Sequence, residues 1–131
     1  MNNEKMKFEE KENDYKIQCQ GVGFIKTRKS ELAVLDMTDE MLENAYDKGV
    51  ELEKIVVDDS SGCCIDREYI DELTSWMELD GITVLFVRSV YDITRNMADL
   101  VNYIKIANRN GVTIYSMEYD AVVGINFDES C

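Results

Sequence analysis

The feature that most constrains the fold is an uninterrupted apolar run, Ile82–Val87, with the sequence ITVLFV. A strand without polar alternation is buried on both faces, which is typical of a parallel sheet covered by helices. Apolar residues recur at helical spacing before and after this run, at Tyr69, Ile70, Leu73, Trp76 and Met77, and at Met97, Leu100, Val101, Ile104 and Ala107. The run therefore predicts a central strand between two amphipathic helices.

Strands and helices alternate along the rest of the chain. The predicted strands cover residues 16–28, 52–57, 82–87, 112–117 and, as a short final strand, 122–127. The predicted helices cover residues 39–48, a segment N-capped by Asp66, and residues 96–108. This order with short connections predicts a three-layer α/β/α fold, in which a mostly parallel central sheet has four to five strands.

The chain length of 131 residues fits one domain. Residues 1–14 are charged and aperiodic, which predicts a mobile tail, and residues 15–131 form the predicted domain, with no DNA-binding domain. No apolar run approaches the roughly 20 residues of a membrane helix, and the N-terminus lacks a signal-peptide pattern. We therefore expect a cytoplasmic protein without membrane contacts.

Charge and histidine content exclude several functional classes. The net charge is −13, whereas a domain that binds DNA by itself is normally basic. DNA contact is therefore expected through a local basic cluster, a partner or a separate segment. The absence of histidine excludes Ser-His-Asp and Cys-His catalysis and the common zinc hydrolase sites. The cysteines lack zinc-site spacing, and we expect neither a metal nor another cofactor.

Arginines follow three of the predicted strands, and a serine accompanies the first. Arg28 and Ser30 follow the first strand, Arg67 follows the second, and Arg88 and Arg95 follow the third. Guanidinium groups at one sheet edge match phosphate oxygens, and a nearby hydroxyl nucleophile would be assisted by their charge. The alternative is that each arginine forms a surface ion pair with one of the abundant carboxylates. The spacing alone favours this alternative.

The order of short motifs resembles the catalytic domain of serine site-specific DNA recombinases, the resolvase/invertase family. The matching segments are Val56-Val57-Asp58-Asp59, Ser60-Ser61-Gly62, Asp66-Arg67, the strand ITVLFV, Arg88 to Asn96, Asn110-Gly111-Val112 and Ser116-Met117-Glu118. The resemblance covers about residues 22–123 and is closest over 56–118. It implies a resolvase-like fold and a serine that attacks a DNA phosphodiester to form a 5′-phosphoserine link without a metal.

The resemblance also implies which residues form the site. Lys26-Thr27-Arg28-Lys29-Ser30 stands where the family has Tyr-x-Arg-x-Ser, so Ser30 would be the nucleophile and Arg28 its neighbour. Arg67 matches the arginine after the Ser-Gly pair. Arg95 matches the second arginine of the family's Asp-Arg-x-x-Arg motif. The expected catalytic residues are therefore Ser30, Arg28, Arg67 and Arg95.

One replacement bears directly on activity. Tyr91-Asp92 stands where the family has Asp-Arg, so a carboxylate replaces a catalytic arginine. Loss of one stabilising donor typically costs roughly 10²–10³ in rate, and added repulsion costs more. We expect weak or lost strand exchange, unless Arg88 substitutes for the missing arginine. The alternative is a non-catalytic protein-interaction or regulatory module that keeps the resolvase fold.

The resemblance gives expectations about partners as well. Family members join this domain to a dimerisation helix and a DNA-binding domain. We therefore expect DNA contact only through a missing domain or a partner recombinase, together with assembly into a homo-oligomer.

Overall fold

The computed structural model describes residues 19–62 and 64–124. The tail predicted at residues 1–14 lies outside the described residues. The same is true of residues 16–18 of the predicted first strand and residues 125–127 of the predicted last strand.

Five strands and three helices alternate in the described chain. The strands are β1 (Cys19–Lys26), β2 (Val50–Asp58), β3 (Ile82–Val87), β4 (Thr113–Ser116) and β5 (Ala121–Val123). The helices are α1 (Glu31–Asp47), α2 (Glu68–Met77) and α3 (Met97–Arg109), and a short 3-10 helix spans Val90–Asp92. The sheet order is β2-β1-β3-β4-β5; β1 to β4 are parallel, and β5 is antiparallel to β4. The predicted mostly parallel sheet is confirmed.

Helices cover both faces of this sheet. Alternate residues of β3 point to opposite sides, so Leu85 packs into one core cluster and Phe86 into the other. The first cluster also contains buried residues of α2 and α3, and the second contains the buried face of α1. Leu85 and Phe86 are at most 1% exposed. The second half of the run, from Leu85 to Val87, is therefore buried on both faces as its sequence predicts, whereas Thr83 is exposed.

The predicted start of the first helix was wrong. The helix begins at Glu31 rather than at residue 39, and Ser30 is its N-cap, accepting a hydrogen bond from the Ala33 N–H at 3.4 Å. Its buried face comprises Met37, Met41 and Ala45. The periodicity of Met41, Leu42 and Ala45 predicts one buried face, but Leu42 is 43% exposed. The predicted helix lacks residues 31–38, because Ser30 was not identified as its N-cap.

The N-cap of α2 also differs from the prediction. Arg67 occupies the cap position, and no side chain caps the helix. Asp66, the predicted cap, is exposed one residue earlier. The Arg67 side chain turns instead toward the end of β2, where it bonds Asp58. A tertiary contact has thus replaced a local capping preference.

We predict that Gly21→Ala destabilises the fold. A Cβ at this position in β1 would lie 2.5 Å from the backbone oxygen of Val84 in β3, which is too close. Since the sheet backbone must shift, the free energy of unfolding should fall by about 1–3 kcal/mol in urea denaturation. Gly124→Ala, with nothing within 4 Å, is the control and should change it by less than about 0.5 kcal/mol. Equal stability of the two variants would contradict the close approach.

Candidate functional site

The carboxyl ends of β1, β2 and β3 meet at one edge of the sheet. Lys26 pairs in register with Asp58, and Phe24 pairs with Val87. The segments that carry the predicted site residues therefore leave the sheet at the same edge, where parallel α/β folds usually place their functional groups.

A buried carboxylate organises this edge. Asp58 at the end of β2 has no exposed surface. Its Oδ1 accepts hydrogen bonds from the Ser60 amide at 2.8 Å and the Ser60 hydroxyl at 2.6 Å, and its Oδ2 accepts one from Arg67 Nε at 2.8 Å. Burial alone would raise the pKa of Asp58, but these hydrogen bonds and the Arg67 charge hold that pKa below its ordinary value. Asp58 is therefore ionised at neutral pH.

Arg67 joins Asp58 to the segment after β3. Besides Asp58, its guanidinium donates to the carbonyl oxygens of Cys64 at 2.9 Å, Ile93 at 3.0 Å and Asp92 at 3.0 Å. The side chain is 7% exposed. An arginine has five N–H donors, and these contacts use four of them. We call the Arg67 side chain with these four contacts the Arg67 clamp.

Lys26 is a second cation at the Asp58 carboxylate. Its Nζ donates to the Ser60 carbonyl oxygen at 2.6 Å and lies 3.9 Å from Asp58 Oδ2. The contact with Asp58 was not predicted from the sequence, in which Lys26 matches the aromatic position of the family's Tyr-x-Arg-x-Ser motif. Lys26 and Asp58 are the last residues of two neighbouring parallel strands and lie opposite each other. Their positions at the ends of the two strands are the feature that points to this contact.

Asp92 lies among the cations of the edge. Its carboxylate interacts electrostatically with the Lys26 backbone N–H and with the charges of Arg88, Lys26 and Arg95. Burial raises the pKa of Asp92, and these favourable contacts only partly oppose the shift. A cavity of about 420 Å³ is lined by Asp92 and Arg88 together with groups from α1 and from the end of β4.

The structure divides the predicted site residues into two groups. The clamp joins Arg67 to the backbone of the segment that carries Asp92 and Arg95. Ser30 and Arg28 are exposed in the turn between β1 and α1. Across residues 19–62 and 64–124, no hydrogen bond or ion pair links Ser30 or Arg28 to Arg67 or Arg95. Their joint action on a phosphate remains a prediction.

The arginines also differ in their pairing with carboxylates. Arg67 forms an ion pair with Asp58, and ion pairing is what the surface-pair alternative predicts for each arginine. This pair, however, is buried. Arg28, Arg88 and Arg95 have no carboxylate oxygen of a described residue within 4.0 Å. That alternative is therefore wrong for these three arginines within the described structure.

Within the described ranges, no group of three or more Cys, Asp or Glu side chains is arranged to hold a metal ion. None of the helices there has the length and apolar character needed to cross a membrane.

Comparison with known proteins identifies close matches in fold. The family model described as the resolvase N-terminal domain matches residues 27–129. The N-terminal catalytic domain of TP901-1 integrase has a TM-score of 0.65 at 12% identity, with 85% of this chain and 86% of that one covered. A resolvase-family site-specific recombinase from Streptococcus pneumoniae gives 0.64 at 16% identity, with 86% and 82% covered.

A third solved structure also matches this chain. The C-terminal catalytic domain of ISC1926 TnpA, an IS607-like serine recombinase, has a TM-score of 0.66 at 17% identity, with 76% of this chain and 70% of that one covered. No curated protein sequence matches this chain. At these identities the structural matches establish the fold.

We predict that Arg67→Ala destabilises the fold far more than Arg28→Ala. Removing Arg67 leaves the Asp58 charge buried without its main partner, which typically costs about 3–5 kcal/mol. Arg28 is exposed and pairs with no described carboxylate, so its loss should change the free energy of unfolding by less than about 0.5 kcal/mol. Urea denaturation at pH 7 measures both. Equal effects would show that the Arg67 clamp does not stabilise the fold.

We predict that Asp92→Asn is more stable than the wild-type protein at pH 7 and that this advantage is smaller at pH 3.5. Because folding raises the pKa of Asp92 above 3.8, its stabilising contribution is present below that value and is lost as pH rises through the folded pKa. Asparagine has nearly the same size and a side-chain acceptor oxygen, and it does not ionise. Thermal melts across this pH range should show the advantage of the variant growing with pH. Asp80→Asn, which removes an exposed carboxylate, is the control, and an equal gain there would refute the prediction.

Proposed function

This chain belongs to the resolvase N-terminal domain family, and we propose that it takes part in site-specific DNA recombination with weak or lost strand exchange of its own. The protein is a serine-recombinase catalytic-domain-like protein. The observation that carries the proposed loss is the position of Asp92, in the segment bonded by Arg67 and near the charges of Arg88, Lys26 and Arg95.

Charge at this position opposes the reaction. Attack of Ser30 Oγ on a DNA phosphodiester would form an O–P bond and break the bond to the 3′ oxygen, which leaves and takes up a proton. Negative charge builds up on the phosphoryl oxygens, so the transition state needs nearby cations. An ionised Asp92 repels that charge, and a protonated Asp92 adds no positive charge. In either state Asp92 fails to supply the stabilisation that the family's arginine provides.

The Arg67 clamp also reduces the number of N–H donors that the edge can offer to a phosphate. Four of its five N–H groups are already bonded within the protein, so one remains for a phosphate oxygen. Its positive charge is also largely offset by Asp58, 2.8 Å away. The cations better placed to contact an anion are Arg28 and Arg95, which are exposed. These support an inherited phosphate site, with Ser30 as the proposed nucleophile position.

The partners we propose follow from the same charge argument. With a net charge of −13, the chain would approach DNA through another domain or through a partner recombinase. A second copy of the chain is a further proposed partner, as in the family. We propose no membrane partner and a cytoplasmic location.

The second candidate is a non-catalytic interaction or regulatory module. The presence of both Asp92 and the internally bonded Arg67 at the site favours it, because two of the expected cationic functions are missing or occupied. The two candidates differ in one property, which is whether Ser30 reacts with a phosphodiester once Asp92 is replaced by a cationic residue.

We therefore predict that Asp92→Arg increases the reactivity of Ser30. Thymidine 5′-(p-nitrophenyl) phosphate carries a good leaving group, and attack by Ser30 would attach thymidine 5′-phosphate to the protein. Intact-mass spectrometry should detect little adduct on the wild-type chain and faster formation, on the order of 10²-fold, on Asp92→Arg. Adding Ser30→Ala to that variant should abolish the adduct.

The other outcomes separate the two candidates. A wild-type adduct that forms as fast as on Asp92→Arg and requires Ser30 would show that Asp92 does not disable the site. No adduct on either protein would favour the non-catalytic module, provided that both proteins remain folded by circular dichroism.

A further inference from the structure

We propose that the outer flank of α1 is a docking surface for a cationic amphipathic helix of another protein. The surface, which we call the α1 seam, consists of Leu32, Leu35, Asp39, Leu42 and Tyr46. It is independent of the reaction at Ser30, so it does not depend on the proposed function.

The α1 seam is a second apolar stripe on a helix whose core face is already used. Met37, Met41 and Ala45 pack against the sheet, four residues apart. The seam residues instead follow a 3-4-3-4 spacing, which is the a/d pattern of a helix that packs against another helix. Leu32 is 76% exposed, Leu35 58% and Leu42 43%. Three large leucines on one exposed flank are more than scattered surface residues.

The seam runs beside the edge of the sheet. From Leu32 to Tyr46 it extends about 21 Å along four turns of α1. The strand on this side is β2, which is the outermost strand of the described sheet. Two cavities lie between α1 and β2: one of about 500 Å³ at Leu42, Tyr46 and Leu52, and one of about 430 Å³ at Leu35 and Val57. Side chains of a docked helix can insert into these two cavities, which we together call the groove beside β2.

The charges along the seam determine what kind of helix fits. Glu31, Asp36 and Glu43 occupy the flanking e and g positions, and Asp39 interrupts the leucines. None of these four carboxylates has a basic group of a described residue within 4.0 Å. Lys29 is a neighbouring cation at the N-terminal end of the groove. The surface is therefore apolar with an acidic border, and it matches a helix that carries leucines flanked by lysine or arginine.

The same charges disfavour other occupants. A second copy of α1 would place acidic flanks against acidic flanks, because the charged e and g residues, Glu31, Asp36 and Glu43, are all acidic. DNA and anionic membranes would be repelled for the same reason. A basic side chain opposite Asp39 would additionally fix the register, as a single polar core position does in coiled coils.

A matched pair of peptides tests this proposal. The cationic probe is an amphipathic peptide of about three heptads with Leu at a and d, Lys at e and g, and one Lys placed to face Asp39. The control replaces every Lys by Glu. Fluorescence anisotropy with the full chain should show that the cationic peptide binds at least about tenfold more tightly than its acidic control, and that added salt weakens the binding.

Surface variants locate the binding. Leu35→Ser combined with Leu42→Ser should weaken binding of the cationic peptide by about tenfold or more, because it removes the central apolar contacts. Asp39→Asn should weaken binding and reduce its dependence on salt. Leu79→Ser, which alters a 52% exposed leucine outside α1, is the matched control and should leave binding unchanged. Since all these side chains are exposed, circular dichroism should show folded proteins.

Several results would overturn the proposal. Equal binding of the two peptides, or no binding of the cationic one, would exclude selection by charge. An equal loss of binding in Leu79→Ser would place the contact elsewhere. Self-association of the wild-type chain in analytical ultracentrifugation, abolished by Leu35→Ser with Leu42→Ser, would identify a second copy as the occupant instead.

Discussion

The buried ion pair between Asp58 and Arg67 is the interaction on which the functional edge depends. A carboxylate with no exposed surface is tolerated only when it is paired and hydrogen-bonded, and Asp58 receives bonds from Ser60 and Arg67. Such a pair adds little net stability compared with an apolar core, but breaking it is costly. Because Arg67 also bonds the backbone at Asp92 and Ile93, the pair fixes the end of β2 against the segment after β3.

The clamp also sets the chemical character of the edge. The four internal contacts of Arg67 hold the loops of the edge together, and Arg28 and Arg95 beside it are exposed. Asp92 is positioned by the same segment and introduces a carboxylate among them. The site therefore combines the hydrogen-bonded framework of the Arg67 clamp with a carboxylate among the edge cations. Under the proposed function, the clamp keeps the fold of the edge and Asp92 weakens its chemistry.

The carboxylates on α1 have a different effect from the carboxylate of Asp92. On the seam, negative charges border exposed leucines rather than oppose a reaction, so the same net charge that repels DNA can select a basic protein partner. The seam lies on the flank of α1 that faces the groove beside β2, whereas Glu40 and Asn44 of that helix face the cavity at Asp92. The helix thus separates a surface for protein contacts from the functional edge.

The sequence by itself determined the order of strands and helices, the burial of β3 and the meeting of the arginine-bearing segments at one edge. These features follow from local periodicity and from the geometry of parallel strands, and each is readable over a few residues. It did not reveal that Ser30 caps a helix beginning at Glu31, or that Arg67 turns from the start of α2 to Asp58. Only the tertiary structure decided these points, because the partners of a long polar side chain are distant in sequence, and a buried charge outweighs a local capping preference.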